Sequence, residues 1–259
     1  MRNLIFDTHA HYDDKAFDED REDLLERLPG AGIGRVVNVG STVASCEECL
    51  KLAESYDHVY AAIGVHPSET KELKEEDFAR LRQQCQHPKC VAVGEIGLDH
   101  YWPEPEAEIQ KKWFERQLEL AREIKKPVII HSREACKDTL DILRDHAAEE
   151  IGGVIHCYSY SAETARDYLK LGFFFGIGGV LTFKNSQKLK ETVEMLPMGS
   201  MILETDCPYL APAPHRGKRN SSFMLPYVVE ALAQIKGISP EEVRHVTWEN
   251  ACRLYRMNV

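Results

Sequence analysis

Near its start the chain reads Phe6-Asp7-Thr8-His9-Ala10-His11, placing two imidazoles two positions apart just after a short apolar run. Strand side chains alternate with period 2, so His9 and His11 point to the same side, and Asp7 with them. Similar residues follow later apolar runs: Gly64-Val65-His66-Pro67, Gly94-Glu95-Ile96-Gly97-Leu98-Asp99, His131-Ser132-Arg133, His156-Cys157 and Glu204-Thr205-Asp206-Cys207-Pro208. Glu204 and Asp206 share a face for the same reason as the histidines. One histidine at a strand end is more often a hydrogen-bonded polar residue than a ligand. Five strands each delivering a ligand-type residue, those ending in His9-Ala10-His11, Glu95, His131, His156 and Asp206, point to metal. Four imidazoles with two or more carboxylates exceed what one tetrahedral zinc requires. They suit two ions sharing a carboxylate, with room for water. Left unpaired, such buried groups cost several kcal/mol each.

The elements that must position these residues are readable. Apolar runs occur at Leu4–Phe6, Arg35–Val39, Tyr60–Val65, Val91–Gly94, Val128–Ile130, Val154–Ile155, Phe173–Phe175 and Met201–Leu203. Continuous apolar strands alternating with helices indicate a parallel sheet covered on both faces. Between the fourth and fifth runs, Ile109, Trp113, Phe114, Leu118, Ala121 and Ile124 keep one helix face apolar. Gly152-Gly153, Leu171-Gly172 and Pro197-Met198-Gly199 read as stops before the next strand. The spacing from His9 to Asp206 is about 28 residues per unit, which predicts an α/β fold of the (β/α)₈ barrel type with the metal site at the C-terminal mouth of the strands. The segment from Leu225 onward supplies one or two closing helices. Residues 1–259 read as one domain, with no linker, low-complexity tract or repeat.

The composition is ordinary: 43% hydrophobic and 29% charged in 259 residues, enough for a sizeable core. A net charge of −10 argues against binding polyanions by global attraction. The surplus acid sits in helix-like stretches such as Glu69 to Asp77, read as a solvated face. No run approaches the roughly 20 apolar residues of a membrane span, and the start lacks a signal-peptide pattern, so a cytoplasmic protein with no membrane partner is expected. The eight cysteines are expected to be free thiols. Cys46-Glu47-Glu48-Cys49 has no second pair at zinc-finger spacing and reads as part of a helix.

These motifs, in order from about residue 4 to Tyr255, resemble the TatD family of metal-dependent hydrolases in the amidohydrolase-like barrel superfamily. The most specific blocks are Gly94 to Asp99 and Glu204-Thr205-Asp206-Cys207-Pro208-Tyr209-Leu210. The resemblance implies metal ligands His9, His11, Glu95, His131, His156 and Asp206, with Glu95 bridging two divalent cations. It also implies deoxyribonuclease activity releasing nucleotides from DNA ends. Glu95 stands where many amidohydrolase barrels use a carbamylated lysine. One departure is visible: family members often continue Arg-Gly-Lys with Asn-Glu-Pro, where this chain reads Asn220-Ser221-Ser222.

The residues suggest a mechanism in which two cations, Mg²⁺, Mn²⁺ or Zn²⁺, lower the pKa of a water and clamp oxygens around phosphorus. Asp206 is the candidate general base and a candidate ligand as well; Glu204 is an orienting group or an extra ligand. His66 and Arg133 are candidates to hold a phosphate oxygen. The basic run His215-Arg216-Gly217-Lys218-Arg219, Arg216 in particular, could contact phosphate; Tyr101 and Trp102 could stack on a base. Gly176-Ile177-Gly178-Gly179 follows the seventh run, where barrels often bind phosphate. The leading expectation is a 3′-to-5′ deoxyribonuclease acting on single-stranded DNA or DNA ends, with no obligate protein partner evident. Ester or amide hydrolysis, for example of a D-aminoacyl-tRNA or small cyclic substrate, is a second reading, and a non-catalytic metal-binding scaffold a third. Histidine and carboxylate ligands leave the metal open.

Overall fold

The computed structural model describes residues 4–259. Eight strands form one parallel sheet in sequential order: β1 (Ile5–Ala10), β2 (Ile33–Val39), β3 (Val59–Ile63), β4 (Cys90–Asp99), β5 (Val128–Arg133), β6 (Gly153–Ile155), β7 (Phe174–Ile177) and β8 (Met201–Leu203). Between them lie α1 (Arg21–Arg27), α2 (Val43–Ser55), α3 (Glu75–Cys85), α4 (Ala107–Ile124), α5 (Cys136–Asp145), α6 (Ala162–Lys170) and α7 (Gln187–Met195); α8 (Leu225–Lys236) and α9 (Pro240–Leu254) follow. This is the (β/α)₈ architecture the spacing predicts. The segment just beyond β8 returns to β1 through the Ala10–Cys207 bridge, with His11 N donating to Cys207 O at 2.8 Å and Asp206 N to His9 O at 2.9 Å.

Alternation along the strands builds two cores. Ile5, Val36, Ala61, Ile130, Ile155 and Leu203 face the helices. Their neighbours Phe6, Val37, Ala62, Ile129, Val154 and Ile202 fill the barrel. Ala251, Cys252 and Tyr255 at the end of α9 join that inner cluster, and the Tyr255 hydroxyl donates to Thr8 O at 2.9 Å. The barrel is therefore plugged from one end, and the polar strand ends occupy the other.

α4 buries Trp113, Phe114, Leu118 and Ala121 as its apolar face predicts, while Ile109 and Ile124 are partly buried. Burying each large side chain contributes about 1.5–3 kcal/mol. Two polar residues on the same helix, Gln110 and Gln117, are buried too. Gln117 Oε1 accepts from Val65 N at 2.8 Å, and its Nε2 donates to Val65 O at 3.2 Å. Gln110 does the same for Asp99 N and O, at 2.8 and 2.9 Å. Each amide satisfies backbone groups at a strand end that would otherwise be buried without partners.

Candidate metal centre and active site

The motif residues lie partly within the strands, because β1, β4 and β5 run on through His9, Asp99 and Arg133. His9 and His11 converge with their Nε2 atoms 3.0 Å apart. His11 Nδ1 donates to Val39 O at 2.8 Å, which leaves Nε2 free for the cluster. Around this pair, Glu95 Oε2 is 3.4 Å from His9 Nε2 and 3.9 Å from His11 Nε2. Asp206 Oδ1 is 3.8 and 3.4 Å from the same atoms.

The other oxygen of Glu95 faces a second group. Oε1 is 2.7 Å from His131 Nδ1, 3.8 Å from His156 Nε2 and 3.9 Å from His66 Nε2. His156 stacks on His9 with centroids 3.5 Å apart. Glu95 thus divides its two oxygens between two nests of imidazoles.

The ring orientations are set from outside the cluster. Asp99 Oδ2 accepts from His131 Nε2 at 2.9 Å, and its carboxyl is held low by that imidazole despite burial. Glu204 Oε2 lies 3.1 Å from His156 Nδ1, while Oε1 accepts from Cys157 N at 2.6 Å. Gly176 makes room for that carboxylate: a Cβ there would lie 2.2 Å from Glu204 Oε2. Gly97 has φ +141°, and a Cβ there would meet His131 O at 2.0 Å.

The charges favour a cation. Burial pushes the Glu95 and Asp206 carboxyls up, but the surrounding imidazoles outweigh it and hold both below their ordinary values. Burial likewise opposes charge on His11 and His156, yet the Asp206 carboxylate takes His11 up to about 9 and the Glu204 and Glu95 carboxylates take His156 up to about 10. Protons are here balancing a buried anionic cluster. His9 Nδ1, His156 Nδ1 and Glu204 Oε2 are buried without an aligned hydrogen-bond partner among the described residues. Ligand atoms about 2.1 Å from one ion lie roughly 3–3.4 Å apart; the His9–His11, His9–Glu95 and His11–Asp206 spacings of 3.0, 3.4 and 3.4 Å fall in that range, and the His9–Asp206 and His11–Glu95 spacings of 3.8 and 3.9 Å are wider. The donor set fits divalent cations.

His66 stands beside His131, its ring centroid 4.3 Å away. Burial and His131 push its pKa down to about 3, so it is neutral. Its Nδ1 accepts from Ser68 N at 3.2 Å, which puts the hydrogen on Nε2, facing the site. Arg133 is exposed, its guanidinium 3.8 Å above the Tyr101 ring. Arg216 lies over Phe183 at 4.5 Å and makes no ion pair with the cluster among the described residues. Arg219 of the same basic run is committed elsewhere, paired with Asp20 at 2.5 Å.

Asp7 does not join the histidines it was expected to accompany. The β1–β2 pairing shifts register between Asp7 and Ala10, which breaks the simple alternation. Asp7 instead accepts from Thr205 N at 3.0 Å, Thr205 Oγ1 at 2.7 Å and Ser222 Oγ at 2.6 Å. Burial pushes its carboxyl up to about 7 against those bonds. Ser222 also donates its N–H to the Tyr12 hydroxyl at 3.0 Å, so the Ser221-Ser222 departure adds bonds that a proline cannot make. Asn220 Nδ2 donates to Thr205 O and Tyr209 O at 2.9 and 2.8 Å, fastening the loop that carries Asp206.

A profile of the family described as "TatD related DNase" matches residues 6–256. The chain belongs to the TatD family. It is 42% identical to the uncharacterized metal-dependent hydrolase YabD of Bacillus subtilis over 98% of this chain and 100% of that one. It is 38% identical to the uncharacterized metal-dependent hydrolase TatD of Mycobacterium tuberculosis, covering 97% of each. The crystal structure of the TatD homolog YjjV from Escherichia coli superposes with a TM-score of 0.93 at 31% identity, covering 100% of both chains. As a TatD-family protein it is a metal-dependent hydrolase, and His9, His11, Glu95, His131, His156 and Asp206 form candidate metal-binding groups.

Asp99, Gln110 and Gln117 are absent from the sequence-based site residues. Two glutamines seven apart on an otherwise apolar helix face were the available signal. Cys46 and Cys49 sit buried on α2; Cys46 Sγ donates to Gly64 O at 3.2 Å, and neither thiol joins a ligand cluster among the described residues. No helix among the described residues is long and apolar enough to cross a membrane.

Proposed function

We propose that this TatD-family hydrolase is a phosphodiesterase releasing nucleotides from the 3′ ends of single-stranded DNA with two divalent cations. The observation that carries the reading is the division of Glu95: Oε2 faces His9 and His11, and Oε1 faces His131 and His156. One ion would be held by His9, His11, Glu95 and Asp206, the other by Glu95, His131 and His156. Bound there, divalent cations supply Lewis acidity that acidifies water and neutralises charge on phosphate oxygens.

The chain's own residues divide the remaining work. Asp206 is the general base. Its side chain is 18% exposed against 5% for Glu95 and 1% for Glu204, so it is the carboxylate of the three that water reaches most readily. A carboxylate held in its anionic form at that edge can take the proton of the attacking water. Asp206 has φ +56°, a strained conformation for a non-glycine residue, fixed by Asp206 N donating to His9 O. His66 donates through Nε2 to a non-bridging phosphate oxygen. Glu204 positions His156 and does not touch substrate. Arg133 and Arg216, neither paired with a carboxylate among the described residues, favour an anionic phosphodiester over a neutral ester or amide.

The test is a labelled single-stranded oligonucleotide incubated with metal-replete protein. Stepwise shortening that stops on chelation, and that a 3′-terminal phosphorothioate cap blocks while a 5′ cap does not, supports the reading. Turnover of carboxylic esters without any phosphodiester turnover would refute it.

A further inference from the structure

The rim of the barrel carries a feature that the proposed chemistry leaves unused. Apart from Val259, five large hydrophobic side chains are exposed among the described residues. Four of them, Tyr101, Trp102, Tyr209 and Leu210, follow β4 and β8 on the same face as the metal cluster. Tyr209 is tied through its hydroxyl to Asp14 Oδ2 at 3.0 Å. The Tyr101 hydroxyl and the Trp102 indole nitrogen make no hydrogen bond among the described residues. Their rings meet edge to face, centroids 4.8 Å apart and planes at 88°, and they are 48% and 55% exposed. Neighbouring apolar surface left in water beside a reactive centre marks a binding surface.

The two rings have different surroundings. The Arg133 guanidinium covers Tyr101, 3.8 Å from its centroid. Tyr101 therefore holds the arginine in place, and Trp102 is the ring left open. One carboxylate joins this shelf to the metal cluster: Asp99 Oδ1 accepts from Tyr101 N at 3.0 Å, and Asp99 Oδ2 accepts from His131 Nε2 at 2.9 Å. His100 N also donates to Arg133 O at 2.9 Å, pinning the loop to the end of β5.

An unpaired guanidinium selects an anion, and an open indole selects a flat ring. A ligand carrying both, a few ångströms apart, is a nucleotide. We propose that Trp102 is a nucleobase platform, stacking on the base next to the scissile phosphodiester while Arg133, positioned by Tyr101, takes a flanking phosphate oxygen. This rests on the phosphodiesterase reading for its substrate class. It adds that recognition is by the face of the base, and so tolerates every base.

Tryptophan fluorescence tests this without turnover. Trp102 is the most exposed of the three tryptophans; Trp113 is buried and Trp248 partly so. Metal-loaded protein is titrated with phosphorothioate-linked oligothymidylate, which resists hydrolysis, and with an abasic oligomer of the same length and linkage. Quenching by the first and little by the second is expected; by fluorescence anisotropy of end-labelled oligomers, Trp102→Ala binds the thymidylate about tenfold more weakly, as loss of one base–aromatic stack implies, and the abasic oligomer with unchanged affinity. Equal quenching by both oligomers, or unaltered thymidylate affinity in Trp102→Ala, would overturn the platform. Because the readout is binding, base-dependent quenching in a protein that cleaves no phosphodiester retires the nuclease reading and keeps the subsite. Cleavage without base dependence does the reverse.

Discussion

Asp99 grips His131 by its Nε2 at 2.9 Å, and that grip is what turns His131 Nδ1 toward Glu95 at 2.7 Å. A carboxylate behind a histidine fixes both its tautomer and its angle. Replacing Asp99 by Asn keeps the shape and removes the charge. Asp99→Asn is expected to lose about 10- to 100-fold in metal affinity or turnover, the usual effect of losing such a partner. Titration calorimetry with Mn²⁺ and a thermal melt on the same preparation check it: weaker metal binding with an unchanged melt is the predicted result.

Gly176 tests the same principle from the opposite side of the barrel. A methyl at that position would overlap the Glu204 carboxylate, which is 1% exposed and has nowhere to retreat. Gly176→Ala is expected to displace Glu204 from His156 and reduce turnover at least as much as Glu204→Gln does. Steady-state rates of the two variants at saturating metal make the comparison.

Ser222 is expected to matter for stability. It is fully buried, donates to Asp7 Oδ2 at 2.6 Å, and meets the Tyr12 hydroxyl at 2.9 Å. Ser222→Ala leaves two buried partners short of a bond, at a cost of about 1–3 kcal/mol. Urea denaturation should show a lower midpoint with the slope unchanged.

The cysteines of the CxxC pair should be inert. Burial pushes the Cys46 thiol up to about 12 and the Cys49 thiol well above its ordinary value. The reactive thiolate is therefore scarce at neutral pH and rises only in strong alkali. Maleimide at pH 7.5 followed by mass spectrometry should leave both unlabelled in native protein and label both after unfolding.

The barrel could be read from the sequence because its strands are buried on both sides and so appear as uninterrupted apolar runs at regular intervals. The ligand-type residues were legible as a set because several apolar runs end in ionisable side chains at once; a single one, such as Asp7, carries a hydrogen-bonding role instead. What alternation could not convey was the register shift in β1, which turns Asp7 away from His9 toward Thr205 and Ser222. A similar irregularity interrupts the β4–β5 pairing between Val93 and Ile96, around Glu95. Nor could charge density along the chain reveal that Arg219 is committed to Asp20, a partner 199 residues away. Gln110 and Gln117 contact strand ends through tertiary packing, so their roles emerge only once α4 is laid against the sheet.

Hydrolysis of phosphodiesters at the shared Glu95 cluster with bound divalent cations is what the proposed function stands on. Its most direct test is the rate of nucleotide release from single-stranded DNA by metal-replete protein, run beside His9→Ala purified identically. Metal-dependent release by the unaltered chain and background release by the variant are expected. DNA left intact by both proteins, or cleaved equally by both, would contradict the proposed function.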